Sequence, residues 1–210
     1  MAVEPTVFVV DDDTAFLAYL GMLLKSVGLR VEVFTTAEEF LAQYVPARPG
    51  CLLLDVRMPG MSGLNLQEEL AARRISLPVI IITGYPEWST AVRALKTGAV
   101  DFIQKPIFSD QLLLERIRQA IETDRRTRDL EAQRAAVAAR VAQLTTRERQ
   151  VMELVVAGKP NKLIAADLGL SPKTVEVHRA NVMKKMAADS LAELVRLQLL
   201  LPKSEPATQP

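Results

Sequence analysis

The sequence predicts two folds in series: a doubly wound α/β domain on a five-stranded parallel sheet, then a small all-α helix-turn-helix domain. Three observations carry that expectation. Short β-branched apolar runs alternate with amphipathic segments through the first half and cease after it. Several short helices with clear start and stop signals crowd the last third. The charge changes sign between the two: residues 1–122 carry 11 Lys and Arg against 15 Asp and Glu, net −4, and residues 123–210 carry 15 against 10, net +5. At 210 residues the chain is long enough for two small domains.

The apolar runs fall at 7–10, 31–34, 51–54, 78–82 and 100–103, and their near-continuous apolarity suits strands covered on both faces. Helical patterns separate them: Phe16, Leu20, Leu23, Leu24 and Val27; Phe40, Leu41 and Tyr44; Leu64, Leu66 and Leu70; then Trp88, Ala91, Val92 and Leu95. Trp88 shares a stripe with Val92 and Leu95 and is expected to anchor in the core. Strict alternation of strand and helix gives a flavodoxin-like α/β domain over 1–122, with its site where strand carboxyl ends meet loops. From Ser109, Leu112, Leu113, Ile117 and Ile121 open a helix that runs on without Gly or Pro; 123–143 reads as a helical linker with a solvated face, although Leu130, Val137 and Leu144 recur at heptad spacing.

In the last third, Thr145-Thr146-Arg147-Glu148 is a capping-box start and Gly158 a stop. Residues 162–168 form a helix ended by Gly169, Ser171-Pro172 opens the next, and 190–200 forms the last. The helical domain spans 144–203, and 204–210 is expected to be a disordered tail.

Composition excludes several classes. With 49% hydrophobic and 24% charged residues the chain is globular in composition. One cysteine and one histidine allow neither an internal disulfide nor a zinc cluster. The start lacks a signal-peptide pattern and the apolar run 77–82 is too short for a bilayer, so a cytoplasmic protein without a membrane partner is expected.

Asp11, Asp12 and Asp13 follow the first predicted strand and Asp55 the third. Adjacent parallel strands bring such carboxylates into one crevice, where like charges repel unless a cation intervenes; hard oxygen ligands favour Mg²⁺ or Mn²⁺. Thr83 and Lys105 end the fourth and fifth strands, adding a hydroxyl and a fixed cation.

The stretches Val9-Val10-Asp11-Asp12-Asp13, Leu54-Asp55-Val56-Arg57-Met58-Pro59-Gly60-Met61-Ser62-Gly63, Ile82-Thr83-Gly84 and Asp101-Phe102-Ile103-Gln104-Lys105-Pro106 resemble the receiver domain of two-component response regulators. The resemblance implies that Asp55 is the phosphoacceptor for a sensor histidine kinase. It implies that Asp11, Asp12, Asp55 and the Arg57 backbone carbonyl hold Mg²⁺, Asp11 through water. Thr83 and Lys105 would bind the phosphoryl group, Phe102 would follow Thr83, and the Lys105-Pro106 peptide would be cis. One departure is visible: Tyr85-Pro86-Glu87-Trp88 stands where the similar subgroup usually continues with His-Gly-Asp.

In the third small helix Val175, Val182 and Met186 form a core stripe, while Lys173, Val177, Ala180 and Lys184 share another face that suits a major groove. Leu144-Thr145-Thr146-Arg147-Glu148, Asn161-Lys162-Leu163-Ile164-Ala165, Leu170-Ser171-Pro172-Lys173-Thr174-Val175-Glu176-Val177-His178 and Asn181-Val182-Met183-Lys184-Lys185-Met186 are similar to the LuxR-type helix-turn-helix. With the receiver, this resembles the FixJ/NarL class, nearest its FixJ branch. The resemblance implies that Glu176, Val177 and Ala180 face bases. It implies that Lys162, Lys173, Thr174, Arg179, Lys184 and Lys185 meet phosphates, while His178 packs within the domain and the last helix makes a dimer contact. The expectation is a transcription regulator and not an enzyme. Phosphorylation would promote homodimerisation and promoter binding, with RNA polymerase as a further partner.

Two rivals stand against it. A regulator that works without phosphorylation would normally lack one of the acidic pair, Thr83 or Lys105. An aspartyl-phosphate phosphatase would need a second carboxylate two residues after Asp55, where Arg57 stands.

Overall fold

The computed structural model describes residues 4–84 and 88–201, the side chains of 88–90 excepted. The first three residues, the Tyr85-Pro86-Glu87 departure, the side chain of Trp88 and the tail from 202 lie outside the described residues. The chain divides into two compact units, Met1–Arg128 and Asp129–Pro210.

The first unit runs β1 (Thr6–Val10), α1 (Thr14–Ser26), β2 (Arg30–Phe34), α2 (Ala37–Gln43), β3 (Gly50–Leu54), α3 (Gly63–Ala72), β4 (Val79–Thr83), α4 (Trp88–Lys96), β5 (Asp101–Gln104) and the start of α5 (Asp110–Ala142). All pairings are parallel and the order is β2-β1-β3-β4-β5. The central strands β1, β3 and β4 are buried throughout, as continuous apolar runs require. The edge strands β2 and β5 are only partly covered. One core lies on each face of the sheet, around Phe8, Phe40, Leu52 and Ile81 on one side and Leu20, Leu53, Ile80 and Ile117 on the other.

Two glycines are dictated by close approach. A Cβ on Gly50, whose φ is +152°, would lie 1.8 Å from the Thr6 carbonyl oxygen, and one on Gly63 would lie 2.0 Å from that of Asp55. The structure also corrects two helical stripes. Among the described side chains of α4 the buried one is Ala94, while Leu95 is 52% exposed, so Leu95 does not belong to a core stripe. In α5 Leu112 is exposed and Leu113, Leu114 and Ile117 carry the packing.

Beyond Ile117 the helix keeps its hold on the first unit through a buried polar cluster. Asp124 is fully buried and its Oδ2 accepts from the Gly50 N–H at 2.9 Å and from Arg128 Nε at 2.8 Å. Arg128 also donates to the carbonyls of Pro46 and Arg48, each at 2.9 Å.

The second unit contains the rest of α5, then α6 (Thr146–Val156), α7 (Asn161–Leu168), α8 (Pro172–Met186) and α9 (Leu191–Leu200). The capping box at Thr145 and Glu148 is present, Gly169 closes α7 in the left-handed conformation, and Ser171 caps α8. Val137 and Leu144, the heptad-spaced residues, pack into this unit's own core with Val151, Ile164, Val175, Val182 and Leu194. Among the described residues, no helix is long and apolar enough to cross a membrane.

Candidate functional sites

Strand order decides which loops meet. Because β1 lies between β2 and β3, and β4 lies beside β3, the segments after β1, β3 and β4 open at one end of the sheet. Asp11 directly follows β1, Asp55 directly follows β3, Thr83 ends β4, and Lys105 follows β5. Asp11, Asp55 and Thr83 are all buried, an arrangement that costs free energy for carboxylates unless they are paired.

Lys105 supplies the pairing. Its Nζ lies 2.6 Å from Asp11 Oδ2 and 3.1 Å from Asp55 Oδ1, and 4.3 Å from the centre of the Phe16 ring. The Lys105-Pro106 peptide is cis, as the resemblance implied. Backbone amides complete the coordination of both carboxylates: the Asp13 N–H donates to Asp11 Oδ1 at 3.0 Å and the Arg57 N–H to Asp55 Oδ2 at 2.6 Å. Burial pushes the Asp55 carboxyl above its usual range, against the opposing pull of Lys105. Burial disfavours the Lys105 ammonium, but the Asp11 hydrogen bond and the Asp55 charge outweigh it and raise its pKa.

The three aspartates after β1 have different positions. Asp11 is buried in the crevice and Asp12 is exposed beside it. Asp13 caps α1, accepting from the N–H groups of Ala15 and Phe16 at 2.9 and 3.0 Å. Among the described residues, no three carboxylate, histidine or cysteine side chains are gathered closely enough to hold a metal. Two of the expected set, Asp11 and Asp55, do converge, and their oxygen-only donor chemistry suits a hard divalent cation. The loop after β3 is held from a neighbouring helix, for Glu38 Oε1 accepts from the Met61 N–H at 3.0 Å. Glu38 was not foreseen from the sequence, because nothing local links it to a loop 23 residues away. Phe102, in β5, is partly buried against the core around Phe8.

In the second unit α8 buries Val175, Val182 and Met186 and exposes Lys173, Glu176, Val177, Ala180 and Lys184. Val177 is 53% exposed on that face. Lys162 is exposed on α7. Thr174 is partly used locally, its Oγ1 lying 2.8 Å from Ser171 Oγ.

Lys185 has a partner within the unit. Its Nζ lies 2.6 Å from Glu148 Oε2 and donates to the Gln143 carbonyl at 3.2 Å, so in this structure it is engaged in an internal ion pair. That bond, with help from the Thr145 amide, holds the buried Glu148 carboxyl down at about 2. The sequence showed the capping box but not this partner, which lies 37 residues away. Arg140, in α5, likewise donates to the Met186 carbonyl at 3.0 Å, closing the end of α8.

Comparison with known proteins bears on both sites. The family described as the response regulator receiver domain matches residues 7–118, and that described as bacterial regulatory proteins of the luxR family matches 142–198. The chain is 49% identical to the transcriptional regulatory protein FixJ of Azorhizobium caulinodans, over 92% of each chain. It is 47% identical to nodulation protein W of Bradyrhizobium diazoefficiens, over 91% of this chain and 84% of that protein. Among solved structures it resembles the response regulator StyR, with a TM-score of 0.84 and 43% identity, over 94% of this chain and 99% of that one. It also resembles full-length FixJ from B. japonicum, with a TM-score of 0.59 and 45% identity, over 95% and 98%.

Proposed function

Because the chain belongs to the FixJ-like two-component response regulators, which join a receiver to a LuxR-type DNA-binding domain, we propose that phosphoryl transfer to Asp55 switches its binding to promoter DNA. One observation carries the proposal: the Asp11 and Asp55 carboxylates, from two neighbouring strands, both reach the Lys105 ammonium at a sheet end where Thr83 also stands.

In the proposed reaction a phosphohistidine of a sensor kinase gives up its phosphoryl group. The N–P bond breaks, an Asp55 carboxylate oxygen forms the new O–P bond, and the electron pair stays on the histidine nitrogen. Asp11, Asp12, Asp55 and the Arg57 carbonyl would hold Mg²⁺ or Mn²⁺, whose charge offsets that of the phosphoryl oxygens. Lys105 is already beside Asp55 and would exchange a carboxylate partner for a phosphoryl oxygen, while the Thr83 hydroxyl donates to another. Phe102 would follow Thr83. The added charge of roughly −1.5 to −2 is what recruits these groups and favours dimerisation.

For the second unit, exposed Lys162, Lys173 and Lys184, together with Thr174 and Arg179, would meet phosphates, and Glu176, Val177 and Ala180 would face bases. The α9 helix would pair two copies, so that the dimer reads two half-sites. We place this activity in the cytoplasm, with RNA polymerase as the next partner.

The test is to incubate the chain with acetyl phosphate and MgCl₂, then follow intact mass, light scattering and retention of promoter DNA. Wild type should gain one phosphoryl group, dimerise and bind more tightly. Labelling that persists in Asp55→Ala, or phosphorylation without any change in DNA retention, would overturn the switch.

A further inference from the structure

We propose that Asn161 is a positioning residue for DNA binding: its amide oxygen holds the Arg179 guanidinium ready for a backbone phosphate without neutralising it. The proposal rests on the reading of the second unit as DNA-binding and adds to it a residue that touches no base.

The cations of α7 and α8 are not equivalent. Lys173 lies 3.5 Å from Glu176 Oε2 and Lys185 2.6 Å from Glu148 Oε2, so each has a carboxylate partner. Arg179 is different. Its Nη1 donates to Asn161 Oδ1 at 3.0 Å, a bond that spans 18 residues and joins the first residue of α7 to the middle of α8. Among the described interactions of these two helices, it is the cation held by a neutral partner with no carboxylate beside it.

A carboxylate partner competes with a phosphate for the cation, and its displacement cancels much of the gain. An amide oxygen fixes the guanidinium through one N–H and leaves its full charge and its remaining donors in place. Part of the ordering cost of a long side chain is thus met before DNA arrives. Arg179 is half-buried on α8, two residues after Val177 and so across the helix from it, on the side turned to the start of α7 where Asn161 stands.

Substitution by aspartate separates positioning from mere structural support. A carboxylate in the first turn of α7, paired with Arg179, should hold or raise thermal stability. It should weaken DNA binding more than Asn161→Ala does, because it neutralises the cation.

The experiment uses the full chain, treated with acetyl phosphate and Mg²⁺, and a duplex that wild type enriches from a randomised pool, titrated at several salt concentrations. Arg179→Ala should weaken binding about tenfold and flatten the slope of log K against log salt by about 0.9, the signature of one lost phosphate contact. Asn161→Ala should weaken binding about threefold, and should have no further effect in the Arg179→Ala background. Asn161→Asp should bind more weakly than Asn161→Ala, with an unchanged or higher melting temperature. Binding of Asn161→Asp at the wild-type level, or an Asn161→Ala effect that persists without Arg179, would overturn the proposal. Failure of wild type to enrich or bind any duplex would instead overturn the DNA-binding reading beneath it.

Discussion

The Lys105 ammonium lies 3.1 Å from Asp55 Oδ1, in a pocket where the aspartate is buried and the lysine nearly so. It provides the countercharge that lets Asp11 and Asp55 share a crevice. Lys105→Gln should therefore cost about 3 kcal/mol without divalent cations, as expected when a buried ionic pair loses one partner. Millimolar MgCl₂ should restore most of that loss, and more than it adds to wild type. Thermal melts with and without Mg²⁺ check this; equal Mg²⁺ stabilisation of both proteins would contradict it.

Asp55 makes the opposite prediction. Burial raises its folded pKa above the ordinary 3.8, so the ionised form is penalised by folding, and that stability is lost as pH rises through the folded value. Asp55→Asn should melt higher than wild type at pH 7 in metal-free buffer. The gap should close as the pH falls to the ordinary carboxylate range. A constant gap from pH 7 to 4 would refute the burial argument.

Gly63 has no space for a methyl group, because its Cβ would meet the Asp55 backbone oxygen at 2.0 Å. Gly63→Ala should cost about 2–3 kcal/mol and slow the labelling of Asp55 by acetyl phosphate, since the clash is with the backbone of the reacting residue itself. Denaturant melts and intact-mass time courses measure the two effects. Gly21, with nothing within 4 Å of the corresponding point, serves as the control and should tolerate alanine.

Glu148 should govern the acid stability of the second unit. Its Lys185 and Thr145 hydrogen bonds depress its folded pKa to about 2 from 4.5, so the stability it contributes is complete above 4.5 and is lost as pH falls towards 2. Glu148→Ala should cost about 1–2 kcal/mol at pH 7, as loss of a helix cap does. The gap to wild type should shrink by pH 3. The single tryptophan, Trp88, belongs to the first unit, so the mutation should move the circular dichroism melt more than the tryptophan fluorescence melt.

The elements that periodicity and capping specify were legible in the sequence. Apolar runs located all five strands to within about two residues, and Thr145, Glu148, Gly169 and Ser171 located the ends of the short helices. The placement of Asp11, Asp55, Thr83 and Lys105 at strand ends followed from the same runs. What the sequence concealed was contact at a distance. Among the described side chains of α4, Ala94 is the buried one while the larger Leu95 is exposed, which an apolar stripe read by residue type does not reveal. Lys185 looks like any surface lysine until folding brings Glu148 to it, and Asp124 looks like one more charge in a polar helix until it meets the Gly50 amide.

That last contact bears on how the chain can be divided. The receiver family matches only as far as residue 118, and a fragment ended there or at 122 would keep every strand and every proposed phosphoryl-site residue. It would nonetheless lack Asp124 and Arg128, leaving the Gly50 N–H and the Pro46 and Arg48 carbonyls without those partners. The third strand, which leads straight to Asp55, would start from a loosened end. A fragment carried through Arg128 retains the fastening, and studies of the isolated receiver should begin from that longer piece.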